Sequence, residues 1–314
     1  MLALLQNIRL LEWRILATVA LVIAAMAHPE SLDGQRSREL TESIVEDHTF
    51  ALDHLLERDG FIDAQAQASG KPTPGGDRAY YNGHYYAGVA PGLSMLMLPL
   101  VAVIEPLAAR AAPGAWHDRN IRIVVFNFAS VLLIMIPFAL ATTLLVHRTH
   151  VELFGRPRLA TALTFLYSFG TLAFYYAVCL NAWMIINFAS WCFMYVAFVR
   201  RAPLSTPIAV ALGLVVGLGV CMNYFGIVLF PLFAAVLVLR RQFQASVFMT
   251  VGVAAMLLPL GWYHLHLFGS PWATPYSHRV DASIDQIMSS GVQGFHLPSP
   301  AAALQLLFLS LIHI

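Results

Sequence analysis

Charge is scarce in this chain. Asp, Glu, Lys and Arg make up 11% of its 314 residues and hydrophobic residues 59%, where an ordinary soluble domain carries about 25% charged residues. That balance excludes a surface that faces water throughout and points to a membrane protein. Lysine is nearly missing, with Lys71 alone among 18 basic residues. Cysteine is missing as a structural tool: Cys179, Cys192 and Cys221 lie in apolar segments, where a small buried hydrophobe is the ordinary reading. They imply neither a disulfide framework nor a thiolate metal site. Internal repeats, low-complexity tracts and the paired broken helices of inverted-repeat transporters are also absent from the sequence. No nucleic-acid partner is expected.

What is present is a series of long apolar runs. A helix needs roughly 20 apolar residues to cross a bilayer, and candidates lie at about 10–28, 121–146, 159–179, 181–199, 206–222, 225–239 and 245–267, with an eighth starting near Ala301. The last run stops at Ile314, short of a full crossing, so a chain truncated after about 308 is expected. The opening run could also be a cleaved signal peptide, but with so many later spans an uncleaved first helix is expected. The fold class expected is therefore an all-α polytopic membrane protein, a single domain of about 7–8 transmembrane helices.

Arginines orient the spans. Clusters at Arg148/Arg156/Arg158, Arg200/Arg201 and Arg240/Arg241, with Arg9 and Arg14, belong on the cytoplasmic side by the positive-inside rule. All of them fall there only if the apolar stretch 92–109, broken by Pro99 and Pro106, lies on or dips into the outer face without crossing. The rival is an inverted chain in which 92–109 does cross.

On the preferred topology the polar residues face outward, in a first loop at about 29–120 and a second at 268–300. The first loop is acidic: 13 of the 17 acidic residues lie between Glu30 and Asp118. Leu40, Ile44 and Val45 recur at helical spacing among polar positions, which predicts an amphipathic helix on the membrane surface. Asp33 stands before it at headgroup depth. It could accept a proton from a hydroxyl attacking a sugar, or simply cap the helix or pair with Arg36. Arg36, Arg38, Arg78 and His84 are candidate phosphate contacts, arginine's planar fork being suited to phosphate oxygens; the alternative is solvated surface charge. Asn82-Gly83, flanked by Tyr80, Tyr81, Tyr85 and Tyr86, is a hairpin signal, and the tyrosines could be interface anchors or platforms for sugar rings. His264 and His266 sit two apart, without the spacing of a metal pair. A divalent metal would need Asp33, Asp53, Asp77 and Asp281 to converge.

Three short elements in this order carry a resemblance. They are Asp33 with Arg36 after the first span, Tyr85-Tyr86 followed by Pro91-Gly92 at the start of an outer-face helix, and Phe268-Gly269-Ser270-Pro271 leading to Tyr276. Together they resemble the GT-C glycosyltransferases that use polyprenyl-phosphate sugars, in the bacterial branch similar to protein O-mannosyltransferases and aminoarabinose transferases. The resemblance implies a GT-C-like bundle in the cytoplasmic membrane whose outward-facing site performs inverting transfer. The donor would be a polyprenyl-phosphate-linked sugar and the acceptor an extracytoplasmic glycan, lipid or protein. Asp33 would be the catalytic base, with Arg36, Arg38, Asp53, Asp77, Arg78, His84, Tyr85, Tyr86 and Tyr276 around the substrates. Two positions depart from the family pattern: Val89 stands where a lysine is common and Asn181 where an acid is common. The alternatives are a transporter or flippase, which should carry ionisable residues along its spans, and a non-catalytic relative of the transferases.

Overall fold

The computed structural model describes residues 2–28, 32–61, 77–116, 118–200 and 202–280, with the backbone alone for 2–9, 32 and 33. Helix α1, Leu2–Ala25, buries Ile15, Val19 and Ile23 at four-residue spacing, the stripe that a helix packed on one side needs. Helix α6, Arg119–Phe154, runs back along it. Glu12 of α1 accepts from Arg148 Nε at 3.2 Å, while at the other end of α1 the backbone N–H of His28 reaches the carbonyl of Val178 at 2.7 Å. These two contacts mark the two ends of the bundle. A π-helical turn at Val131–Met135 interrupts α6, and Gly155 at φ 62° closes it.

Helices α7 (Pro157–Gly170) and α8 (Leu172–Val178) meet at a 61° bend, where the Thr171 hydroxyl accepts from the N–H of Ala173. Asn181 caps α9, Ala182–Val199, by accepting from the N–H of Trp183 at 2.9 Å. At the far end of α9, Arg240 donates to the carbonyls of Val196, Ala197 and Arg200 at 2.5–2.8 Å, so a cation satisfies a helix C-terminus. Helices α10 (Thr206–Met222), α11 (Leu229–Leu239) and α12 (Phe243–Phe268) complete the bundle. Two glycines let α10 and α12 touch backbone to backbone. A Cβ at Gly213 would lie 2.0 Å from the carbonyl oxygen of Met249, and one at Gly252 would lie 2.3 Å from that of Val210.

The described residues are mostly helical, and among them four helices are long and apolar enough to cross a membrane: Gly92–Ala111, α6, α9 and α12. The bent α7–α8 pair makes a fifth, while α10 and the stretch Tyr224–Leu239 are shorter. Trp13, Leu133, Leu166 and Leu258 are each more than 60% exposed, an outer surface suited to lipid. Each of the seven apolar runs up to residue 267 is a helix or a broken helix. The run from Ala301 lies outside the described residues.

At the His28 end, the described residues of the 29–120 stretch form a layer of their own. It contains α2 (Leu32–Glu46), α3 (Asp53–Arg58), strands β1 (Arg78–Tyr81) and β2 (His84–Ala87), α4 (Gly92–Ala111) and the short α5 (Pro113–Trp116). The expected hairpin is there: Tyr81 pairs with His84, and Asn82 and Gly83 have φ of 50° and 90°, the left-handed pair that turns two strands in two residues. The expectation for α2 needs correction. Residues 36–43 of this helix are all buried, so α2 does not lie on a surface; α4, α3 and β2 enclose it. Leu40 enters the apolar cluster of the hairpin and Val45 packs against the main bundle core, while between them Glu42 is buried in an ion pair and the Thr41 and Ser43 hydroxyls donate to backbone carbonyls.

Candidate functional site

Burying α2 required a partner for each charge, because an uncompensated buried ion costs several kcal/mol. Arg36 donates from Nη1 to both oxygens of Glu39 at 2.8 Å, and Arg78 of β1 reaches the same carboxylate with Nη2 at 3.0 Å. Burial alone would raise the Glu39 carboxyl; the two guanidiniums outweigh it and hold the group below the ordinary carboxylate range. Arg38, fully buried, donates to Glu42 at 2.5 Å, and Glu42 also takes Arg58 at 3.3 Å. Arg58 pairs with Glu46 and Asp59 as well. Asp59 in turn holds Arg119 at 2.9 Å, and Arg119 shares the ring of Phe61 with Arg78. Burial raises the Glu46 carboxyl despite Arg58 beside it. Arg36, Arg38 and Arg78 are thus committed to internal carboxylates, the pairing that the sequence left open against phosphate binding.

Asp53 is a bracket for the hairpin. One oxygen accepts from the N–H of Tyr85 at 2.9 Å and the other lies 2.7 Å from Nδ1 of His84, whose side chain is mostly exposed. Tyr85 and Tyr86 are buried, Tyr86 edge-on to Phe268 at 5.6 Å. Burial pushes the Tyr86 phenol up from its ordinary value. These two tyrosines pack the hairpin onto the top of α12 and line no described cavity.

A polar cavity of about 310 Å³ lies under this layer. Ser37 contributes from α2; Asp77, Val89 and Ala90 from the strands' flanks; Ala182 from the start of α9; Met222, Asn223 and Phe225 from the turn after α10; Tyr276 and Arg279 from the second loop. Arg279 pairs with Asp77, donates to the Gly88 carbonyl at 3.3 Å, and lies 4.5 Å over the Tyr276 ring. Its backbone extends the hairpin, with Ala79 bridging Arg279 and the N–H of Val280 donating to Arg78 at 3.0 Å. Asn223 spends its side-chain oxygen on the N–H of Phe225 at 3.1 Å. Asp33 sits on α2 one helical turn before Ser37; its side chain lies outside the described atoms.

An apolar groove of about 390 Å³ adjoins the cavity. Met95, Leu96 and Leu98 of α4 face Leu218 of α10 and Met256, Leu260 and Trp262 of α12 across it. Residues 90–92 and 221–222 contribute to both linings, Ala90 and Met222 to the cavity and Pro91, Gly92 and Cys221 to the groove. There Gly92 is required, since a Cβ would lie 2.4 Å from the Cys221 carbonyl oxygen. Trp262 and Met95 are exposed, so the groove opens sideways onto the apolar exterior.

Of the residues proposed from sequence, Asp77 and Tyr276 line the cavity and Asp33 stands on a helix that lines it. Arg36, Arg38, Arg78, Asp53, His84, Tyr85 and Tyr86 build the layer around it. The four aspartates do not form a described metal site: Asp53 and Asp77 have separate partners, and no cluster of three metal-ligating side chains occurs among the described residues. Asp281 lies outside them. Sequence reasoning missed Ser37, Val89, Asn223 and Arg279 as neighbours. Val89 carried a signal as a departure from the family pattern, and Arg279 as the one arginine in a loop that also holds Tyr276.

No family model, curated protein or solved structure matches the chain.

Proposed function

We propose that the chain is a glycosyltransferase that moves a sugar from a polyprenyl-phosphate carrier to an acceptor on the outer side of the membrane, in a GT-C-like bundle of seven or more spans. The observation that carries this reading is the pairing of a polar cavity with an apolar groove across the 90–92/221–222 contact. An amphiphile with a charged head and a hydrocarbon chain fits such a pair, with its head beside Asp77, Arg279 and Asn223 and its tail passing along α4 toward lipid.

The same geometry supports one sidedness. The Arg148 end of the bundle carries the arginine clusters and belongs in the cytoplasm. Helix α4, about 30 Å long, is long enough to cross, yet both its ends stay with the opposite layer. Gly92 abuts Cys221, and the chain just beyond α5 pairs with Asp59 through Arg119 and Arg122. This supports α4 lying along the outer face, which leaves every arginine cluster inside.

Chemically, a carboxylate must take the proton of the acceptor hydroxyl as that oxygen attacks the anomeric carbon, while the lipid phosphate departs with the bonding electrons. We assign the base to Asp33, whose backbone stands on α2 one helical turn before Ser37. The transporter alternative has less support. His147 is buried within α6, but the void among Thr142, Thr143, Tyr167 and Ser168 is about 10 Å³, room for one water.

The test is transfer of radiolabelled sugar from a polyprenyl-phosphate donor in proteoliposomes. Asp33→Asn should lose transfer by at least a hundredfold with unchanged thermal unfolding. Full activity in that variant would remove Asp33 from the mechanism, and no transfer by the parent chain from any polyprenyl-phosphate sugar would sink the reading.

A further inference from the structure

We propose that Arg279 is the phosphate anchor of the cavity and that Asp77 is its resident counter-ion, exchanged for the phosphate of an amphiphilic alkyl phosphate when that ligand enters. This rests on reading the cavity as a headgroup site.

Arg279 is held independently of Asp77. Its backbone is bridged to Ala79, the following N–H is fixed to Arg78, and its guanidinium lies over Tyr276 and donates to Gly88. The cation therefore keeps its position when the carboxylate leaves. Asp77 is differently placed. Its backbone is pinned, since Gly88 donates to the Asp77 carbonyl at 2.9 Å and a Cβ at Gly88 would lie 2.5 Å from that oxygen. Its side chain remains 30% exposed against 5% for that of Arg279, so the carboxylate is the partner with room to swing.

The charge logic follows. A cation this enclosed needs an anion while the cavity is empty, and Asp77 supplies it. An alkyl phosphate monoester carries more charge than a carboxylate and can also meet the planar guanidinium through two of its oxygens, so it competes for the same face. Val89, where the family resemblance expects lysine, lines the same cavity as Arg279. Here the cation reaches that cavity from the second loop, while Arg78, close to Val89 in sequence, is committed to Glu39. An exchanged Asp77 stays near the bound phosphate and repels it. Removing its charge must therefore tighten binding, opposite to what a merely structural ion pair would do.

The experiment is calorimetric titration of the purified chain in phosphatidylcholine nanodiscs with hexyl phosphate, inorganic phosphate and hexanol. Hexyl phosphate should bind. Arg279→Gln should weaken it about tenfold or more, Arg279→Lys less, and Asp77→Asn should strengthen it about threefold. Inorganic phosphate should bind at least tenfold more weakly than hexyl phosphate; equal affinities would make the ligand a soluble phosphate and overturn the lipid assignment. Weakening by Asp77→Asn would overturn the exchange and leave the pair a structural latch. Should Arg279→Gln fail to fold, Arg279→Lys and the sign of the Asp77→Asn effect still decide. Hexyl phosphate binding with these signs, in a chain that transfers no sugar, would leave the anchor standing and remove the transferase reading.

Discussion

Glu39→Gln isolates the feature on which the outer layer depends. The Glu39 carboxylate is 1% exposed and faces two guanidiniums, taking Arg36 at 2.8 Å on both oxygens and Arg78 at 3.0 Å. Glutamine keeps the volume and one acceptor but leaves two enclosed cations without a counter-charge. Breaking a buried pair from one side costs about 3–5 kcal/mol, which at about 2–4 °C per kcal/mol lowers Tm by roughly 6–20 °C. The assay is thermal unfolding in detergent at several pH values. Because the native carboxyl is held below its ordinary value, its stabilisation is complete above the ordinary carboxylate range and is lost as pH falls through the native value. The gap between wild type and Glu39→Gln should therefore be widest near pH 7 and close under strong acid. A Tm change under about 2 °C at pH 7, or a gap that widens in acid, would refute the ion-pair account.

Glu46 should behave with the opposite sign. Its carboxyl is raised by burial, so its contribution is complete below the ordinary carboxylate range and is lost as pH rises through the native value; Glu46→Gln should flatten that fall, seen in the same unfolding series. Gly213→Ala puts a Cβ against the Met249 carbonyl and should cost about 1–3 kcal/mol or more, lowering Tm by several degrees, since backbone cannot yield as a side chain would. Gly83→Ala meets open space and should cost only the strain of φ 90°, about 1–2 kcal/mol; a larger loss would mean that the turn has a hidden contact. Single cysteines at Gly60 and Gly83, both with open space around them, should react with a membrane-impermeant reagent in intact cells. Protection of both until lysis would invert the topology.

Local rules carried far in this chain. Apolar runs separated by Arg clusters foretold seven helical segments because a helix satisfies its own backbone wherever the medium is apolar. Asn82-Gly83 foretold the hairpin because a two-residue turn needs left-handed φ at those positions, whatever surrounds them. Asp77 and Tyr276, both singled out from the sequence, line one cavity. The fate of the charges was not legible in the sequence. Glu39 meets Arg78 across 39 residues, and Arg279 meets Asp77 across 202. No spacing rule reaches that far, so a helix patterned like a surface one proved to be enclosed. The sequence by itself determined which segments are helices and where the turns fall, since those depend on neighbours in the chain. Only the tertiary structure decided which arginines are spent on internal carboxylates and which one faces the cavity. That outcome depends on which charges are desolvated together, a property of the packed layer and of no single segment.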